Sequence, residues 1–156
     1  MLVTDFRSLR HSKTIAMKVR KAVITAASPT ENRLPLQHLV DRSGIEKTAL
    51  ELIVEETVAA GIEEVCVVRR PGDHEAYRSA AGSQLGSLHF IEQDNPRGYA
   101  DAIHRAKPFT ADEPFLHLVG DHIYISNSDQ HCAKQLVEVA NESDCPVSAV
   151  QSTREN

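Results

Sequence analysis

Lys21-Ala-Val-Ile-Thr-Ala-Ala27 is the stretch on which the fold turns. It is a short apolar run followed at once by a loop rich in polar residues and prolines, which extends to Glu46. A continuous apolar run of that length reads as a strand, Lys21–Ala26, covered on both faces. Val65-Cys-Val-Val68 has the same form. Leu88–Gln93, Phe115–Val119 and Val147–Val150 complete a predicted set of five strands.

The intervals between these strands carry helical patterns. Within Lys47–Ala60, Leu50, Ile53, Val54, Thr57 and Val58 recur at helical spacing, while Glu51, Glu55 and Glu56 are expected to face water. Gly61 is placed to end that helix with a left-handed cap. Pro71-Gly72 punctuates the chain, and Asp73 stands at the cap of a short helix reaching Ala81. Gly98–Ala106 is expected to be helical and to stop before Pro108. Asn127–Asn141 is expected to place Cys132, Leu136, Val139 and Ala140 on one side. Strands alternating with helices predict an α/β fold, a mostly parallel sheet with helices on both faces. There is no internal repeat or low-complexity tract.

Composition narrows the class. With 156 residues, 41% hydrophobic and 25% charged, the chain is an ordinary globular sequence. Its net charge of -5 argues against a general nucleic-acid binder, which needs a basic face. No run approaches the ~18 apolar residues that span a bilayer, so no membrane partner is expected. Residues 1–17 lack an apolar h-region and read as a loose extension, with residues 18–156 as the domain. The three cysteines, Cys66, Cys132 and Cys145, have no CxxC spacing, and Cys66 reads as a buried small hydrophobe, which fits a reducing cytoplasm. His117, His122 and His131 match no compact zinc spacing and read as structural or surface residues.

Three polar patches follow predicted strands: residues 21–27, Glu92-Gln-Asp-Asn-Pro-Arg-Gly98 and Leu118-Val-Gly-Asp-His122. In an open α/β sheet, ligands bind beyond the carboxyl ends of the strands, so the three patches are expected to line one edge. Asp94 and Asp101 flank the second patch and are read as solvated unless the fold brings them to the crevice.

The ordered matches over Lys21–Ile125 resemble bacterial UTP–glucose-1-phosphate uridylyltransferases, within the sugar-phosphate nucleotidyltransferase family. The first patch resembles the family's first strand. Glu46–Leu50 running into Val54–Ile62 resembles its first helix and the following turn. Gln93-Asp-Asn-Pro96-Arg-Gly98 fits the pattern Q-x-x-P-x-G. Ala106–Phe109 followed by Asp112–Phe115 fits the next connection, and Val119-Gly120-Asp121 fits the hydrophobic-Gly-Asp motif. The resemblance implies a Rossmann-like nucleotidyltransferase fold and transfer of a nucleotidyl group from UTP to a sugar 1-phosphate with Mg²⁺. It implies nucleotide contacts at Ala26, Ala27, Gln93 and Gly98 and a metal ligand at Asp121. A glutamine offers both donor and acceptor to a base edge.

The loop that should hold the phosphates departs from the family's G-x-G-T-R and later lysine. Ser28 and Thr30 stand where the glycines belong, which obstructs close approach of the backbone to phosphate. Glu31 replaces threonine and Asn32 the arginine, with Arg33 one place late and His38 in the lysine position. Arg33 and His38 are the remaining candidates for the catalytic cations. The family's second metal carboxylate would lie beyond Asn156, and the chain reads as truncated. Two readings therefore stand: an enzyme, divergent or dependent on a missing half, and a non-catalytic nucleotide-binding or interaction module of the same fold. A dinucleotide-binding domain is disfavoured because no G-x-G-x-x-G follows the first strand. A homo-oligomer, or a partner covering the missing half, is the expected assembly.

Overall fold

Lys21–Thr25 forms β1, the central strand of the sheet, and it is paired on both sides. The structure, a computed structural model, describes residues 18–28, 34–83, 87–143 and 145–150. β1 pairs in parallel with β4 (Glu64–Arg69) on one side and β6 (Phe115–Val119) on the other. β5 (Leu88–Glu92) pairs in parallel with β4, giving the order β5-β4-β1-β6.

The alternation of β1 shows why both faces must be covered. Ala22 and Ile24 enter a core with Leu50, Ile53, Val65, Tyr77 and Val137. Val23 points the other way and packs with Cys66, Val68, Ala102 and Ala106. Thus α1 (Ala49–Ala59), α2 (His74–Ala80) and α5 (Cys132–Ser143) cover one face. The short helices α3 (Tyr99–Arg105) and α4 (Lys107–Thr110) cover the other. The swap of faces follows from topology. The chain steps outward from β1 to β4 to β5 and then returns across β1 to β6. Crossovers of one hand that run in opposite directions must lie on opposite faces.

Several expectations need correction. Within the predicted loop, β2 (His38–Val40) and β3 (Glu46–Thr48) pair antiparallel. Asp41 builds the turn between them: its Oδ1 accepts from the N–H groups of Ser43 (2.8 Å) and Ile45 (2.9 Å). α1 consequently starts at Ala49 rather than Lys47, with the Thr48 hydroxyl accepting from the Glu51 N–H at 3.0 Å. Gly61 adopts φ +77, as a left-handed cap requires. Glu56 is buried rather than facing water, because it reaches α5: Oε2 accepts from the Ala133 N–H (3.0 Å) and Oε1 lies 2.7 Å from His131 Nδ1.

Asp73 occupies the cap position of α2 without a side-chain capping bond. Pro108 does not end the helical region; it sits in the first turn of α4, where its missing N–H costs nothing. α5 begins at Cys132, and its buried residues are Ala133 and Val137, with Val139 half exposed. Val147–Val150 is not a strand: 146–150 carry no regular structure and Val150 is 91% exposed. The segment does not pair with β6, whose outer edge stays unpaired among the described residues, and without ladder bonds its composition alone makes no strand. The 1–17 extension lies outside the described residues.

Candidate functional site

The three polar patches meet. They surround a cavity of about 190 Å³ beyond the carboxyl ends of β1, β5 and β6. The first patch contributes Thr25, Ala27 and Ser28, the second Gln93, Pro96 and Gly98, and the third Val119 and Asp121, while Tyr99 and Ala102 of α3 close the side. This is the switch point of the sheet, where connections diverge to opposite faces and leave a crevice.

Close packing at the end of β1 shapes the crevice floor. The Gly120 N–H donates to the Thr25 carbonyl at 2.9 Å. A Cβ on Gly120 would stand 2.7 Å from the Ala26 Cβ, so the glycine of Val119-Gly120-Asp121 is required for space. Ala26 is buried; its N–H donates to the Val68 carbonyl and its carbonyl accepts from the Tyr77 hydroxyl at 2.9 Å. It positions Ala27, which lines the cavity, and does not line it itself. Burial pushes the Tyr77 phenol up to about 12. Gly98 adopts φ +105 at the cap of α3, a conformation that L side chains rarely take.

Gln93 is 1% exposed, and its N–H continues the sheet pattern by donating to the Arg69 carbonyl at 2.8 Å. Its side-chain Nε2 donates to Asp101 Oδ2 at 2.5 Å. That bond, then the Arg105 and Arg97 charges, hold the Asp101 carboxyl below the usual carboxylate range. The fold thus ties Asp101 to the crevice through Gln93. The only pointer in the sequence is indirect: a helix opening at Gly98, just after β5, turns back to pack across β1 and β4. Asp94 does stay at the surface, 3.8 Å from Arg105.

A second polar chain lies beside the first. The Thr25 hydroxyl is 3.1 Å from His117 Nε2, and the Tyr99 ring stacks on the His117 imidazole at 6.1 Å and 17°. Burial pushes the His117 pKa down from 6.5, so the ring is held neutral. In the sequence Thr25 stands out only as a member of the first patch, and Tyr99 does not stand out at all.

Asp121 lines the cavity with its side chain 29% exposed, and its Oδ1 lies 2.6 Å from His122 Nδ1. Among the described residues, no group of three or more His, Cys, Asp or Glu could hold a metal. One carboxylate suits Mg²⁺ only as a partial site, where phosphate oxygens and water supply the other ligands. His38 lies on β2 with its Nδ1 3.0 Å from Glu46 Oε1 and is not among the cavity's lining residues. Arg33 and residues 29–32 lie outside the described residues.

A larger concavity of about 840 Å³ lies between the β2–β3 hairpin, α1 and residues 123–131. Asp41, Glu55, Glu56 and Asp129 line it against Arg42 and His131, a balance that repels a polyanion. No helix among the described residues is long and apolar enough to cross a membrane.

Comparison with known proteins agrees with this geometry. The sequence profile of the nucleotidyl transferase family matches residues 40–155. A UTP–glucose-1-phosphate uridylyltransferase of Streptococcus pyogenes is 32% identical over 148 residues, covering 78% of this chain and 49% of its own. A second such enzyme, from a serotype M3 strain, is 31% identical over 160 residues, covering 85% and 54%. Among solved structures, a UDP-glucose pyrophosphorylase complexed with UDP-glucose superposes with TM-score 0.66 at 18% identity over 81% of this chain and 55% of its own. A UTP-bound UGPase from Acinetobacter baumannii gives 0.62 at 22% identity over 81% and 54%. The chain spans about half the length of the curated relatives it matches.

Proposed function

We propose, from the premise that this chain belongs to the nucleotidyl transferase family, that the cavity at the ends of β1, β5 and β6 is a nucleotide site of the uridylyltransferase type. The observation that carries the reading is the convergence of the three polar patches on one crevice, with Gln93 held inside it. A cavity of about 190 Å³ is below the ~300–1,000 Å³ of a typical drug-sized ligand pocket and suits a base rather than a whole sugar nucleotide.

In this reading Gln93 meets the base edge, Gly98 lets the main chain approach the ring, and the exposed face of Tyr99 offers a surface for stacking. Ala26 and Ala27 set the floor beneath it. Asp121 would hold Mg²⁺, which would offset charge on the phosphates. Sugar-phosphate attack on the α-phosphorus would need cationic donors near Ser28, and losing one transition-state donor costs about 10²–10³ in rate. Glu31 and Asn32 replace a neutral residue and an arginine in that loop. On this reading the chain binds the nucleotide weakly and does not turn it over.

The test is calorimetric titration with UTP and Mg²⁺ beside a pyrophosphate-release assay with UTP and glucose 1-phosphate. Weak binding that Gln93→Ala abolishes, with no pyrophosphate release, is the expected outcome. Turnover that disappears in Asp121→Ala would mean that the altered loop still works. Turnover that survives Asp121→Ala would defeat the assignment of the metal site.

A further inference from the structure

Two main-chain and side-chain bonds fix Gln93 in a single orientation. Its N–H is anchored to Arg69, so the side chain leaves the end of β5 in one direction. Its Nε2 then donates to Asp101 Oδ2. An ionised carboxylate can only accept, so the amide must present nitrogen to Asp101 and turn its carbonyl away. Asp101 is held ionised by this bond and by the nearby Arg105, whose Nε lies 3.9 Å from Oδ2. Among the described residues, no donor reaches Gln93 Oε1, and that oxygen is not sealed off as a buried orphan either. It is the end of the amide left to the cavity that Gln93 lines.

We propose that Asp101 is a positioning residue that locks the Gln93 carbonyl toward the cavity, where it faces the ring N3 of the base, so that the pocket selects a pyrimidine carrying N3–H, uracil over cytosine. The inference rests on the nucleotide-site reading of the cavity. Uracil offers N3–H to an acceptor. Cytosine offers an unprotonated N3, which would set lone pair against lone pair. A free amide could rotate by half a turn and accept either base; an amide held by Asp101 cannot. One correctly paired base edge is worth about 5- to 150-fold in discrimination.

The experiment is titration of the whole chain with UTP and, separately, CTP, each with Mg²⁺, for wild type, D101A and D101N. Wild type is expected to favour UTP by about tenfold or more. D101A should bring the two affinities within about twofold, through stronger CTP binding as well as weaker UTP binding. D101N keeps a carbonyl oxygen that can accept from Nε2 and should retain most of the preference. A merely structural role would weaken both nucleotides together and leave their ratio unchanged, and that result overturns the proposal. Wild type that binds neither nucleotide defeats the nucleotide-site reading, and this inference with it. A measurement on the wild-type chain alone covers the case in which D101A fails to fold. The Gln93 side-chain amide resonances should shift as the Asp101 carboxyl is protonated in acid, and amide resonances indifferent to that titration would also overturn the proposal.

Discussion

His117 shows how one half-buried side chain ties the site to the sheet. It lies on β6 between Leu116 and Leu118, yet faces the opposite side, where Thr25 accepts or donates across 3.1 Å and Tyr99 lies over its ring. Desolvation lowers its pKa below 6.5 in the folded chain, whereas the unfolded chain keeps the ordinary value. The unfolded state therefore binds more protons once the pH falls below that value, and the contribution to stability shrinks. Stability is full above about pH 6.5, declines as the pH drops toward the folded pKa, and then levels off. Urea denaturation at about pH 7.5 and about pH 5.5 should show this loss, and His117→Val should reduce the difference. An unaltered difference in the variant would assign the acid sensitivity to other groups.

At the scale of elements, Glu56 is the bond between two helices. It sits on α1 with its side chain 9% exposed and accepts from the first turn of α5 through Ala133 and from the adjacent His131. The start of α5 would otherwise present unpaired N–H groups to a buried boundary. Glu56→Ala should cost about 1–3 kcal/mol, the penalty of leaving a buried donor unsatisfied. Glu56→Gln, which retains an acceptor oxygen, should cost less. Chemical denaturation gives the totals, and faster amide exchange confined to α5 in Glu56→Ala would locate the effect. Equal and negligible costs for both variants would show that α5 is held by the packing of Ala133 and Val137 instead.

For the whole molecule, the consequential surface is the β6 side of the sheet. β6 is paired only with β1 among the described residues, and beyond it Ile123 and Ile125 are 43% and 70% exposed. An unpaired strand edge beside exposed apolar side chains favours association. Concentration-dependent self-association is the expected behaviour in sedimentation velocity, weakened by Ile125→Lys. A monomer at every concentration tested would mean that this edge is tolerated as it stands.

The alternation of elements, the parallel class of the sheet and the placement of the chemistry at three strand ends were legible in the sequence. They depend on local apolar periodicity and turn chemistry, which a single chain displays residue by residue. Gly98 and Val119-Gly120-Asp121 were readable for the same reason, since a positive φ and a close approach leave glycine as their trace. Three other features were decided only by tertiary contact. The β2–β3 hairpin pairs three-residue strands, too short to show a period, and the Asp41 turn that joins them looks in sequence like any polar loop. Val147–Val150 has a strand's composition but no ladder partner, and a strand exists only where its hydrogen bonds are met. Asp101 reaches Gln93 only because the glycine-capped α3 turns back to pack across β1 and β4. Hydrogen bonds across that distance are set by the path of the backbone in space, which sequence spacing alone does not specify.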